Sequence, residues 1–490
     1  MNRRDAITLL AAFGAAAVPC PRARAAGGDV RSYGMSPDAS AAANSAALQR
    51  CLNANTGGQV TIPGADADYQ LTGRITAPAG TSIALSDGAR LRWVMTEAAS
   101  SAALVRSPTR AGIEVLGDGF RLSGKGKLIG PSHGVYVASE IGILCVGASA
   151  AAGRRGFEIS DGVEFSDWGS HAIAAKFTRE VRIARIRING CGYAGMAFLS
   201  CQNGQILSNT VGAIGPGTSG NAYGISCSHD SFEYDQDPHA AEDGRLAANP
   251  FCSGFEVANN TVHDVPLWSG IDFHGGYECQ AHDNTVYNCR NGLLLQGSSG
   301  AGVNFAGEHN AVINNTVTTT QMNGAPTTVT SAARLGISVN GGKLVHHRSI
   351  VVHGNTIDGY GDSHNTSFSL QHTYTSNVEI SNNRVTNWRG AGCYSAYSDG
   401  VISGNDFGPV ADPVGTACIF VAVGGKLRIV DNRHRVDPAH AALYGLYINA
   451  PGDEPYIIEG NDFRAARSQQ YAGHGGAALS AAQIVGGRPR

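Results

Sequence analysis

The sequence predicts an all-β chain, a single-stranded right-handed parallel β-helix closed by an N-terminal cap that contains a short helix. A recurring Asn signature, strand-length pieces between the recurrences, and a composition rich in glycine and poor in charge carry this expectation. The signature reads Asn209-Thr210-Val211, Asn260-Thr261-Val262, Asn284-Thr285-Val286, Asn315-Thr316-Val317, Asn355-Thr356-Ile357, Asn383-Arg384-Val385, Asn405-Asp406-Phe407, Asn432-Arg433 and Asn461-Asp462-Phe463. Successive intervals are 51, 24, 31, 40, 28, 22, 27 and 29 residues. A fixed local signature with variable filler marks a stacked repeat; most intervals fit one coil plus a loop, and 51 fits two coils. Asn tolerates left-handed backbone and hydrogen-bonds locally, which suits it to the bend between strands. The β-branched residue after it starts a strand, and the amides can stack from coil to coil as they do in cross-β structure.

The repeat unit itself is legible. Gly270-Ile271-Asp272-Phe273-His274 is followed by Asp283-Asn284-Thr285-Val286-Tyr287 and then Gly292-Leu293-Leu294-Leu295-Gln296. Each piece is bounded by Gly or Asn, and none has the ten or more residues at a 3.6 period that a helix needs. Helical solenoids and leucine-rich repeats are therefore poor fits. Gly at 65 of 490 and charge at 15% agree with a thin aliphatic core wound by short strands. A solenoid grows in one dimension, so this length needs no second globular domain.

The N-terminus reads differently. Arg3-Arg4 precede the apolar run Ala6 to Val18, and Ala23-Arg24-Ala25 has the small-x-small form of a cleavage site. An export peptide of the twin-arginine type is expected over 1–25, placing the mature protein in the periplasm or outside the cell. The cap and first strands follow over 26–95, the β-helix over 96–475 and a tail over 476–490. Within the cap, residues 42–52 suit a short amphipathic helix and 59–62 a strand. Of the eleven cysteines, ten follow the cleavage site and none forms a close CxxC pair, so zinc ribbons are excluded and most are expected inside the coil. Cys227 and Cys252 flank an inserted loop, which a disulfide between them would close.

Asp29-Val30-Arg31-Ser32-Tyr33-Gly34, Ala46-Ala47-Leu48-Gln49, Gly57-Gly58-Gln59-Val60-Thr61-Ile62-Pro63 and Tyr69-Gln70-Leu71 follow one another in an order that resembles the N-terminal cap of the pectate-lyase-like superfamily. That group includes polysaccharide lyases, polygalacturonase-type hydrolases, phage tailspikes and alginate C5-epimerases. The resemblance implies the β-helix fold and leaves the reaction open.

Aligning coils on Gly195-Met196, Gly224-Ile225, Gly270-Ile271, Gly292-Leu293 and Gly336-Ile337 gives a register. With the aliphatic residue pointing in, alternation sends two columns outward. The first is Ala197, Ser226, Asp272, Leu294, Ser338; the second is Leu199, Ser228, His274, Gln296, Asn340. Ser369 and Gln371 continue this polar strip, with Tyr394 near its end. Asp272 and His274 are its only paired acid and base, and both are expected to be exposed. Ser269-Gly270-Ile271-Asp272-Phe273-His274 is similar to the active-site strand of the alginate C5-epimerases. There an Asp-x-His pair and a Tyr move the C5 proton of a uronic acid. By that resemblance Asp272 and His274 are catalytic. Ser269 stands where the Tyr is expected, and Tyr223, one coil earlier in the same column, can substitute. Phe273 replaces the family's usual Pro.

The chemistry also follows from the residues alone. A C5 proton beside a carboxylate is weakly acidic, and its removal needs that carboxylate neutralised and a base in reach. His274 is the candidate base; Asp272 can orient it, share a proton with the substrate carboxylate or bind a cation; and Tyr223 can carry the proton to or from the opposite face. Ser226, Ser228, Gln296 and Asn340 are candidate substrate contacts. The polar excursion from His229 through His239 adds His229, Asp230 and Tyr234 beside the site; its Glu233, Asp235 and Asp237 are oxygen ligands of the kind Ca²⁺ takes, without EF-hand spacing. Lys343 and Arg348, in the basic stretch Lys343-Leu344-Val345-His346-His347-Arg348, can meet carboxylates of an acidic polymer. A net charge of −3 gives no case for nucleic acid. The expected partner is an acidic polysaccharide. Two other readings stay open. One is a glycoside hydrolase, which needs a second carboxylate such as Asp230 or Glu233. The other is a non-catalytic solenoid that binds glycan or envelope.

Overall fold

In a computed structural model the chain winds as a parallel β-helix with three strand columns per coil. The described residues are 27–98, 110–132, 135–137, 140–215, 221–229, 248–300, 303–319, 335–362, 367–411, 416–450, 456–474 and 484–485. The expected export peptide lies outside them, as does most of the acidic loop, including Asp230, Glu233, Tyr234, Asp235 and Asp237.

The cap begins with a 3₁₀ turn, Val30–Tyr33, N-capped by the Asp29 carboxylate. The helix expected over 42–52 runs Ala41–Ala54, capped by Ser40, and buries Ala47, Leu48, Cys51 and Leu52 against the first coils. The strand expected over 59–62 is Gln59–Ile62. Among the described residues no helix is long and apolar enough to cross a membrane.

One coil shows the plan. Gln202–Leu207 lies in the second sheet, Asn209 turns the corner, Thr210–Ile214 lies in the third sheet, and Tyr223–Ser228 lies in the first. On the next coil the third- and first-sheet segments merge into one bent strand, Thr261–His274, with an irregularity between Val265 and Ser269. From Asn209 to Asn405 the apolar residue two places after each ladder Asn forms a continuous inward column. It runs Val211, Val262, Val286, Val317, Ile357, Val385 and Phe407, all buried.

That column explains the glycines of the aligning step. A Cβ on Gly270 would sit 2.5 Å from the Val286 γ-carbon, and one on Gly292 would sit 2.1 Å from that of Val317. Close packing at this density leaves no room for a methyl group there, so the Gly-Ile step is where the first sheet passes nearest the third.

All nine asparagines form the expected stack. Each amide Nδ2 donates to the next coil's Asn Oδ1, as from Asn260 to Asn284 at 3.0 Å and from Asn315 to Asn355 at 3.0 Å, and each backbone N–H donates to the same oxygen. Two expectations need correction. The left-handed residue is not the stacked Asn but its predecessor: Ser208, Asn259, Asp283, Asn314, Asn382 and Asp431 have φ between 54° and 57°, and Gly fills the place at 354, 404 and 460. The predecessor absorbs the bend, which frees the next amide to point along the axis. The interval of 51 is one coil, not two, since Asn209 donates directly to Asn260 at 2.9 Å. The extra length falls on both sides of Tyr223–Ser228, at 216–220 and 230–247, outside the described residues.

All ten described cysteines are buried thiols. Cys227 and Cys252 are within hydrogen-bonding reach but unbridged, so the proposed disulfide is absent; both sit in the core as small apolar groups.

Candidate active site

The Gly-based register is the one observed. Met196, Ile225, Ile271, Leu293 and Ile337 are successive partners, as are Ala197, Ser226, Asp272, Leu294 and Ser338. Gln296 pairs with His274, and Asn340 with Gln296. Tyr223 pairs with Ser269, as the column argument required. Ile271 and Phe273 belong to the core, so Asp272 and His274, which alternate with them, occupy the outer face of the first sheet.

The exposure of that face differs from expectation. Asp272 is not exposed: its side chain has 0% accessible surface, whereas His274 keeps 23%. Leu294, its column neighbour on the next coil, is itself buried. Ser226 and Ser338 are likewise closed to solvent, so the first column is not a wet strip. Solvent reaches the second column instead, at Ser228, His274, Gln296 and Asn340.

Asp272 is held from two sides. Ser269 Oγ donates to Oδ2 at 3.0 Å, and His274 Nδ1 lies 2.8 Å from Oδ1. The His274 contact is close but off the line of a well-formed hydrogen bond, so its strength is chiefly electrostatic. Engagement of Nδ1 leaves Nε2 as the ring nitrogen available to a ligand. Burial disfavours charge on His274, but the adjacent Asp272 carboxylate outweighs this, and the imidazole pKa ends above its ordinary value.

Tyr223 completes the cluster. Its ring meets His274 edge-on, with centroids 6.0 Å apart, and its hydroxyl accepts from Asn221 Nδ2 at 3.4 Å. Burial first, then the nearby Asp272 charge and Tyr193, drive its phenol pKa far up. Tyr223 is therefore a neutral O–H, a donor and not a base. Tyr193 backs it at 5.7 Å, sharing a hydrogen bond, and Tyr193 in turn meets His171 at 5.3 Å and Tyr136 at 6.3 Å.

Sequence reasoning missed Tyr193 and His171. His171 lies in the column of Tyr223, two coils earlier, through Ala194. Ala172 stands there in place of the glycine that anchored the alignment, so the coil was not recognised. Tyr193 lies one place outside the Gly-aligned column.

Other expected site residues fall elsewhere. His229 is buried between Phe251 at 5.0 Å and Phe305 at 4.5 Å, and burial lowers its pKa to about 3. It packs as a neutral ring beneath the site and does not present itself to substrate. Ser369 is buried and bonds the Tyr360 carbonyl, outside the strip. Gln371 and Tyr394 do continue the first column, which extends past Tyr394 through Phe420 and Tyr447 as stacked rings. Lys343 is exposed just beyond Asn340, but Arg348 lies at the next corner, 3.6 Å from Glu308. His347, in the same basic stretch, is buried and accepts from the Gly307 N–H, with its pKa lowered by burial to about 4. That stretch is thus not one basic patch. Among the described residues no group of three His, Cys, Asp or Glu side chains is placed to hold a metal ion.

Comparison with known proteins agrees on architecture. The chain is similar to the N-terminal fragment of bacteriophage Phi29 gene product 12, at 14% identity over 94% of this chain and 72% of that one, with a TM-score of 0.61. Bacteriophage CBA120 tailspike protein 3 matches at 10% identity over 94% and 61% of the two chains, with a TM-score of 0.51. The A-module of Azotobacter vinelandii mannuronan C-5 epimerase AlgE6 matches at 13% identity over 94% and 100%, but with a TM-score of 0.44, too low to carry weight. No protein-family model matches, and no curated protein matches. At such identities the likenesses define the class of fold, a parallel β-helix, and leave the chemistry to the site.

Proposed function

We propose that this chain is an exported enzyme that acts on an acidic polysaccharide by removing the C5 proton of a uronate, as an epimerase or a lyase. The contact of His274 with Asp272, beside the protonated Tyr223, supports this reading most directly. Asp272 fixes the imidazole and raises its basicity. His274 keeps 23% of its side chain accessible, and Nε2, the nitrogen not engaged by Asp272, is the atom that would meet a sugar C5–H. A base of raised pKa is a stronger proton acceptor once deprotonated. Gln296 is the strand partner of His274 on the next coil, and in this reading its amide donates to the substrate carboxylate as charge develops there. Tyr223 supplies a proton. The leader over 1–25 carries the export part of the proposal.

A glycoside hydrolase would need carboxyl groups ~5–9.5 Å apart. Positions one and two coils from Asp272 in its column are Ser226, Leu294, Ala197 and Ser338, none of them acidic. That reading rests on Asp230 or Glu233, outside the described residues. Burial of Asp272 is what a non-catalytic solenoid would show; the solvent-facing His274 is what catalysis requires. Incubation with polyuronates in D₂O, followed by proton NMR, tests the proposal. Deuterium entering at C5 or unsaturated ends appearing, either one lost in Asp272→Asn and His274→Ala, is the expected result. Exchange that persists in both variants removes the site.

A further inference from the structure

The base and the acid of this site stand on one wall. Tyr223 and His274 belong to directly paired strands of the same sheet. Their rings touch edge to face at 6.0 Å between centroids, tilted by 67°. A pyranose held between two groups needs van der Waals distance on each of its faces, so the groups must be roughly 7–8 Å apart. The observed spacing does not admit a sugar between them. Tyr223 is also braced from behind by Tyr193 and tied at its hydroxyl by Asn221, so it is not placed to swing to the far side. Both rings therefore address the same face of whatever sugar sits over them.

We infer that the site eliminates in preference to inverting, and that its substrate is a 4-linked uronate whose H5 and O4 lie on the same ring face, as in glucuronate and mannuronate. This rests on the C5-abstraction reading. His274 Nε2 takes H5. The electrons of the C5–H bond pass through the carboxylate-stabilised carbanion into a C4=C5 double bond. The C4–O4 bond breaks, and O4 takes the Tyr223 hydroxyl proton and departs as the anomeric hydroxyl of the released fragment. The Tyr223 phenolate recovers its proton from the adjacent His274 imidazolium, and no water is consumed. Inversion instead needs a donor on the opposite face of C5, which this wall does not supply. In galacturonate and guluronate H5 and O4 lie on opposite faces, so one wall cannot serve both.

The test uses the full-length exported protein with four polymers: polymannuronate, polyglucuronate, polygalacturonate and polyguluronate. Unsaturated ends are followed by ultraviolet absorbance, and C5 exchange and inversion by NMR in D₂O. Unsaturated ends should form from the first two on the order of tenfold or more faster than from the last two, a difference of about 1.4 kcal/mol or more in barrier. Tyr223→Phe, checked for folding by circular dichroism, should lose elimination while retaining C5 deuterium exchange. C5 inversion without unsaturated ends, or equal turnover of all four polymers, overturns the inference and leaves C5 abstraction standing. Absence of exchange and of unsaturated ends from every polymer overturns both. The comparison among polymers needs no variant, so a misfolded Tyr223→Phe does not remove the test.

Discussion

Two columns of the same solenoid behave in opposite ways. At the corner between the second and third sheets, one residue type repeats from Asn209 to Asn461, and every amide finds the same partners on its neighbours. On the outer face of the first sheet, the column through Asp272 changes at each step: Ala, Ser, Asp, Leu, Ser, Gln, Tyr. Both columns bury polar groups. The corner satisfies them by repetition, so a single Asn is understood from its neighbours alone. The outer face satisfies Asp272 with a local cluster that occurs once. In a repeat protein, where stability is close to a sum of nearest-neighbour terms, repetition marks scaffold and its interruption marks a candidate site.

Removing the unique cluster should produce the largest effect. Asp272→Asn and His274→Ala are each expected to lower turnover of a responsive polyuronate by roughly 10²–10⁴-fold, with a folded protein by circular dichroism. Breaking the repeat should instead cost stability and spare chemistry. Asn355→Ala removes links to both neighbouring coils and orphans the Val312 carbonyl, a cost of about 1–3 kcal/mol in urea unfolding. Asn461→Ala, at the end of the stack, removes the link to Asn432 and orphans the Ile429 carbonyl, but breaks a link to one neighbouring Asn where Asn355→Ala breaks two, and should cost less. Equal costs for the two would show that the corner is not a nearest-neighbour stack.

The pH dependence sharpens the same contrast. Asp272 holds the His274 pKa above its ordinary value in the folded state, despite burial. The pair's stabilisation is therefore fully present below the unfolded imidazole value of about 6.5 and fades as pH rises through the folded value. The difference in Tm between the native protein and Asp272→Asn should shrink across that rise, while the Asn355→Ala difference stays flat. His274 followed by NMR should titrate lower in Asp272→Asn.

Much of the winding was legible because it depends on local rules. Asn at a bend, a β-branched residue opening each strand and Gly before an aliphatic residue are each set by a few neighbouring residues, and they gave the correct register for Tyr223, Asp272 and Leu294. The expected disulfide failed because proximity of Cys227 and Cys252 does not dictate their oxidation. Exposure of Asp272 failed because alternation tells which face a side chain leaves from and nothing of what lies over it. The stretch from Lys343 to Arg348 looked like one basic patch, yet His347 turned inward to the Gly307 N–H while Arg348 went to Glu308.

By itself the sequence determined a coiled β ribbon, its corner of stacked amides and the strand on which an acid and a base lie two residues apart. Alternation and repeat spacing are properties of a chain, and they survive without knowledge of distant contacts. Only the tertiary structure decided that Asp272 is covered, that His274 alone of the pair meets solvent, that Tyr223 is buried and that Tyr193 braces it. Those facts depend on side-chain length and on which rings adjoining coils bring together, quantities that one strand does not encode.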